Sequence, residues 1–223
     1  MANKRLRIFA GPNGSGKSVL YSYLLNQNYF HRYYYINADE IAASLYTGFS
    51  LVNWPVKTTV TDIVSFIRAS GFGSYIDSNR LLHAIEVKDN CIRWNDTNTG
   101  LSYIAAAIAD YLRNEMLKND STFACETVFS HPSKLEFMKA AHTAGFKIYL
   151  YFIATQDPYI NIGRVQNRVI NGGHTVPEDK IISRYSKTME NAYNALLLAD
   201  RSYWFDNSAS ISNDTYILKK VQS

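Results

Sequence analysis

The sequence predicts an α/β fold with a mainly parallel sheet and helices on both faces, and three observations carry that prediction. Short apolar runs alternate with amphipathic stretches of helical length along the chain. A glycine-rich loop separates the first such run from the first helix. The longest apolar run, Lys147 to Ala154, lacks polar alternation, as a central strand covered on both faces requires.

Taken in order, Leu6 to Ala10 reads as a short buried strand. Gly11, Pro12, Asn13, Gly14, Ser15, Gly16, Lys17 and Ser18 follow, a complete match to the pattern G-x-x-x-x-G-K-[ST]. Val19 to Leu25 then reads as a helix with Leu20, Tyr23 and Leu24 on one face. Strand, loop and helix N-terminus in this order cradle a polyphosphate in successive backbone N–H groups, which makes the P-loop NTPase fold the expected architecture. Lys17 then reaches the β- and γ-phosphates, and the Ser18 hydroxyl ligates a Mg²⁺ that bridges them. The chain is expected to bind a nucleoside triphosphate through the whole loop.

Tyr33 to Ile36 reads as a second strand, with a helix starting near Asp39 because Ile41, Ala42 and Leu45 follow at helical spacing. Thr58 to Arg68 carries a cleaner stripe of Val60, Ile63, Val64 and Ile67. The stretch from about residue 50 to 99 reads as an insertion of uncertain form, and within it Ser70 to Thr99 as a small hairpin or an extra helix. Leu101 to Leu117 is the strongest helix, with Ile104, Ala105, Ile108, Tyr111 and Leu112 on the face of Leu101 and Asn98 or Thr99 available as a cap. Ser121 to Cys125 is a strand that delivers Glu126 at its C-terminal end. A helix from Lys134 stops at Gly145. After the apolar strand come two helices, Pro158 to Ile170 and Pro177 to Leu198, expected to form a hairpin lid folded about Gly173 and His174. Tyr203 to Asp206 is a last core strand, and Tyr216 to Leu218 adds an edge. With no linker or repeat, residues 1–223 read as one domain. Lys17, Asp39, Glu126 and Asp206 all fall at the C-terminal ends of strands, where ligands of such sheets collect.

Composition narrows the function. The chain has 223 residues, 47% hydrophobic and 19% charged, with a net charge of +4, too mild to argue for nucleic acid. Cys91 and Cys125 form no C-x-x-C pair, and the histidines make no H-E-x-x-H, so zinc is not indicated. No apolar stretch approaches the ~20 residues that span a bilayer, and the N-terminus lacks a signal-peptide core. A cytoplasmic protein without a membrane partner is expected.

A phosphate loop alone does not choose between ATPase, GTPase and kinase. The L-S-G-G-Q signature of transporter ATPases, a strand ending in Asp-Glu, N-K-x-D and D-x-x-G are all missing. What remains favours a kinase acting on a small molecule, which needs a base for the acceptor hydroxyl and cations over the transferring phosphoryl group. Asp39, just past the second strand, is the candidate base, with helix capping as the alternative. Glu126 either orients the acceptor or holds a water of the Mg²⁺. Arg164 and Arg168 share a helix face, and folding the two late helices together sets Arg164 roughly opposite Arg184, where both clamp the phosphates. A nucleotide-dependent binding module, or a regulatory ATPase with slow hydrolysis, is the rival reading.

These residues resemble the zeta toxin family of P-loop kinases. The resemblance runs through Ala10 to Ser18, Asn37-Ala38-Asp39-Glu40-Ile41-Ala42 and Glu126-Thr127-Val128-Phe129-Ser130. It continues through Arg164-Val165, Gly172 to Pro177, Arg184-Tyr185 and Asp206-Asn207-Ser208, and leaves residues 49–99 unmatched. It implies Asp39 as base, Glu126 and Thr127 at the acceptor site, and lid arginines on the phosphates of ATP. It also implies an antitoxin partner and, after the best-known members, a UDP-activated amino sugar as acceptor.

Overall fold

The computed structural model describes residues 4–31, 33–74, 76, 78–96, 101–173, 175–209 and 217–219. In chain order its elements are β1 (Arg5–Ala10), α1 (Lys17–Asn26), β2 (Tyr34–Ile36), α2 (Ala38–Ser44), β3 (Phe49–Ser50) and α3 (Val60–Ala69). After a 3₁₀ turn at Gly71–Ser74 come α4 (Ser78–Ala84), β4 (Ile85–Lys88), β5 (Cys91–Trp94), α5 (Leu101–Leu117) and β6 (Phe123–Thr127). The last are α6 (Ser133–Thr143), β7 (Lys147–Ala154), α7 (Pro158–Ile170), α8 (Glu178–Leu198), β8 (Arg201–Asp206) and β9 (Ile217–Lys219). They fold as two compact units, Met1–Tyr33 with Ala124–Ser223, and Tyr34–Phe123.

The first unit carries the strands β6-β1-β7-β8-β9 in that order. β1 runs parallel to β7 from Arg5 opposite Lys147 to Ala10 opposite Phe152, and β7 runs parallel to β8. The edge strand β9 is antiparallel to β8. Leu6, Ile8, Ile148, Leu150 and Phe152 are fully buried, which is why β7 needs no polar alternation. On α1 the inward residues are Leu20, Tyr21 and Leu24, whereas Tyr23 is 40% exposed. The face expected at Leu20, Tyr23 and Leu24 is thus corrected, with Tyr21 in the place given to Tyr23. Tyr21 meets Phe9 edge-on at 5.2 Å, and the other face of Phe9 is taken by Tyr151, stacked at 4.7 Å. Helices α7 and α8 fold back on each other around Ile162, Val165 and Ile181, with Val176 against them. The fold point expected at His174 lies outside the described residues.

The second unit is built on α2, α3 and α5, which bury Ile41, Ile63, Ile67, Ile104, Ile108 and Leu112. The segment read as hairpin or helix holds both, since α4 leads into the antiparallel pair β4 and β5, with β3 on the far edge of β5. Asp89 and Asn90 turn that hairpin with φ of 51° and 56°, the left-handed pair that a two-residue hairpin loop demands. Helix α3 begins at a reciprocal cap, in which Thr59 and Asp62 bond each other's backbone N–H. The cap expected at Asn98 or Thr99 lies outside the described residues. Among those described, no helix is long and apolar enough to cross a membrane.

Candidate functional site

The phosphate loop leaves β1 at Gly11 and enters α1 at Lys17, and β6 is the neighbour of β1 in the sheet. That adjacency brings Glu126 to the loop. The Ser18 hydroxyl donates to Glu126 Oε2 at 2.8 Å, and Lys17 Nζ lies 3.9 Å from Glu126 Oε1 while donating to the Pro12 carbonyl at 2.9 Å. Lys17 is only 6% exposed, so its charge has little water and depends on these oxygens. Glu126 is the penultimate residue of β6, near the C-terminal end where it is expected, the strand running from Phe123 through Thr127 and not stopping at Cys125. The Thr127 hydroxyl accepts from the Phe129 N–H at 3.3 Å, closing a local turn.

A hydroxyl and a carboxylate are hard oxygen donors. No group of three His, Cys, Asp or Glu that could hold a metal occurs among the described residues. A cation at Ser18 and Glu126 would therefore draw its other ligands from phosphate and water, which is how Mg²⁺ is usually held.

Helix α7 touches the loop directly. Gly14 has φ 75°, and a Cβ there would stand 2.6 Å from the Asn161 carbonyl and 3.2 Å from Val165 on α7, so only glycine fits. Asn161 is fully buried and accepts from the Thr155 hydroxyl at 2.5 Å. Tyr185 of α8 donates its phenol to the Thr155 carbonyl at 2.6 Å. Burial, and then the nearby Asp157 and Asp206 carboxylates, raise that phenol above its ordinary pKa and keep the proton on the donor. At the end of β8, Asn207 donates from its backbone to the Ala154 carbonyl and from Nδ2 to the Ser15 carbonyl, both at 2.8 Å.

Of the arginines on α7 and α8, Arg164 is half-buried and donates from Nη2 to the Ala209 carbonyl at 3.1 Å. Its Nη1 is buried with no hydrogen-bond partner among the described residues. Arg184 is half-buried on α8, and Arg168 is exposed in the last turn of α7. Asp39 belongs to the second unit, exposed in the first turn of α2. Asn37 caps that helix, its side chain accepting from the Asp39 N–H at 2.9 Å, so the capping role considered for Asp39 is taken by another residue. Thr155, Asn161 and Asn207 were not singled out as site residues. Their contacts depend on side chains that meet only after folding, although Asn207 does stand in a segment that carries the zeta toxin resemblance.

No protein-family model matches the chain. An uncharacterised protein of Haemophilus influenzae is 30% identical over 110 residues, 49% of this chain and 73% of that protein. The chain belongs to that protein's family. Among solved structures, the PezAT chromosomal toxin–antitoxin system of Streptococcus pneumoniae matches this family member with a TM-score of 0.50 at 12% identity, over 97% of this chain and 74% of that one. AvrRxo1-ORF1:AvrRxo1-ORF2 with sulphate ions matches with a TM-score of 0.53 at 12% identity. The same complex with ATP matches with a TM-score of 0.52 at 13% identity. This chain covers 57% of the AvrRxo1 chain matched. At such identities the likeness is one of fold, an α/β P-loop fold with a mainly parallel sheet, which agrees with the zeta toxin resemblance read from the sequence.

Proposed function

We propose that this chain is an ATP- and Mg²⁺-dependent phosphotransferase of the zeta toxin type, moving the γ-phosphoryl group to a hydroxyl of a small molecule. The observation that carries the reading is the convergence of Lys17, Ser18 and Glu126 at the end of the phosphate loop. Bound there, Mg²⁺ would supply a Lewis acid for the β- and γ-phosphate oxygens. Lys17 stands ready to exchange the Pro12 carbonyl for a phosphate oxygen. Ser18 and Glu126 offer the oxygens that hold the metal, directly or through its water. Arg164 keeps one end of its guanidinium on Ala209 and offers Nη1 to phosphate oxygens, with Arg184 acting from α8 and Arg168 at the rim. Asp39 takes the proton of the acceptor hydroxyl, a base that a module merely holding ATP would not need. Thr127, beside Glu126, would help to orient the acceptor.

The similar structures support parts of this reading. One fold relative is seen with ATP, and another comes from a toxin–antitoxin system. On that basis we assign ATP as the donor and an antitoxin protein as a partner, with a UDP-activated amino sugar the first acceptor to try. The test is incubation with γ-labelled ATP, Mg²⁺ and a metabolite extract. A newly labelled small molecule, missing when Mg²⁺ is withheld, is the expected result. Label appearing only as inorganic phosphate would favour the slow regulatory ATPase.

A further inference from the structure

The phosphate loop can present donors to an anion only if its peptide planes face the right way, and glycines make those planes easy to flip. The plane between Ser15 and Gly16 is one of these, since Gly16 has φ 97° and ψ 23° and leads directly into Lys17. No cis peptide occurs among the described residues, so the Ser15 C=O and the Gly16 N–H point in opposite directions. Whatever fixes the carbonyl also aims the N–H.

What fixes it is Asn207, 192 residues further along the chain, whose Nδ2 donates to the Ser15 carbonyl at 2.8 Å. Its own backbone N–H is tied to the Ala154 carbonyl at the end of β7, so the side chain projects from a sheet-anchored position. The Asp206 carboxylate accepts from the Ser208 N–H at 3.0 Å and from the Ser208 hydroxyl, which sets the turn that carries Asn207. The fit leaves no slack, since a Cβ on Gly16 would lie 2.6 Å from Asn207 Nδ2. Elsewhere in the loop, Gly14 rests on the Asn161 backbone of α7.

We propose that Asn207 is a positioning residue, which pins the Ser15 carbonyl so that the Gly16 N–H faces the phosphates of the bound nucleotide. It touches no reacting atom and acts through the loop. The inference rests on the nucleotide reading of the site, and the experiment separates the two. ATP affinity is measured by calorimetry with Mg²⁺ on the full chain, its Asn207→Ala variant and its Asn207→Asp variant. Asn207→Ala is expected to bind roughly tenfold more weakly, the effect of one lost hydrogen bond. Asn207→Asp sets a carboxylate oxygen against a carbonyl oxygen and should bind more weakly still at pH 8. Relative to the parent at the same pH, that deficit should shrink as the pH falls toward the ordinary aspartate value of about 3.9, because the protonated carboxyl regains a donor.

A residue that merely stabilises the fold would lower the melting temperature of both variants. Their ATP affinities, measured below the melt, would then stay within twofold of the parent at every pH, and that result overturns the proposal. If Asn207→Ala does not fold, the pH dependence of Asn207→Asp decides alone, and a flat profile overturns it. A parent that binds no ATP overturns the nucleotide reading itself, and this inference with it.

Discussion

The two units use polar side chains in different ways. In the first, the side chains of Glu126 and Asn207 reach one short loop from two distant elements, and the Asn161 backbone packs against its Gly14. In the second, polar side chains such as Asn90 and Asp62 satisfy the backbone of the unit itself. Asn90 donates to the Leu51 and Val56 carbonyls at 2.8 and 2.7 Å and accepts from the Thr58 N–H at 3.2 Å, while Thr59 and Asp62 close a helix cap. The first pattern leaves one end of Arg164 buried without a hydrogen-bond partner among the described residues, whereas the second satisfies the unit's own backbone. Asp39 is the exception in the second unit as the proposed base, its helix being capped by Asn37.

The comparison breaks most sharply at that exception. Asp39→Asn keeps size and removes the proton acceptor, so transfer to the acceptor should fall by ~10²–10⁴ while ATP affinity and melting temperature hold. Parallel assays of binding and product on one preparation check it, and intact transfer would return Asp39 to the structural group. Next comes Arg184→Lys, which keeps the charge but loses the planar fork. A loss on the order of 10²–10³ in rate is expected if the fork meets phosphate in the transition state. A rate within twofold of the parent would class Arg184 with ordinary half-buried helix residues.

Smaller effects should lie in stability alone. Asn90→Ala removes three hydrogen bonds and places alanine at φ 56°, so a loss of about 2–3 kcal/mol in denaturant unfolding is expected, with ATP affinity unchanged. Thr59→Ala removes one side of a cap and should cost about 1 kcal/mol, again without effect on nucleotide binding. A change in ATP affinity from either variant would erase the distinction between the units.

This division also explains what could be read in advance. β7 and α7 have the bounds their patterns announce, because an unbroken apolar run and a proline start are local signals. The glycine-rich motif is equally local, and so the strand, loop and helix around Lys17 and Ser18 were legible. Tyr21 was not preferred to Tyr23, since both are tyrosines near the edge of the helix stripe and only Phe9 decides between them. The hairpin at Asp89 and Asn90 was obscured because it lacks the glycine that usually marks such a turn, and β3 is only two residues long. Asn207 was visible as part of a motif, but its grip on Ser15 depends on a contact across the folded sheet that no spacing rule encodes.

The central claim is that the loop ending in Lys17 and Ser18 is a nucleotide site, and calorimetry with ATP and Mg²⁺ on the parent and on Lys17→Ala tests it most directly. The account predicts saturable binding by the parent and none by Lys17→Ala, with the variant still melting cooperatively. Undiminished affinity in a normally folded Lys17→Ala would contradict it.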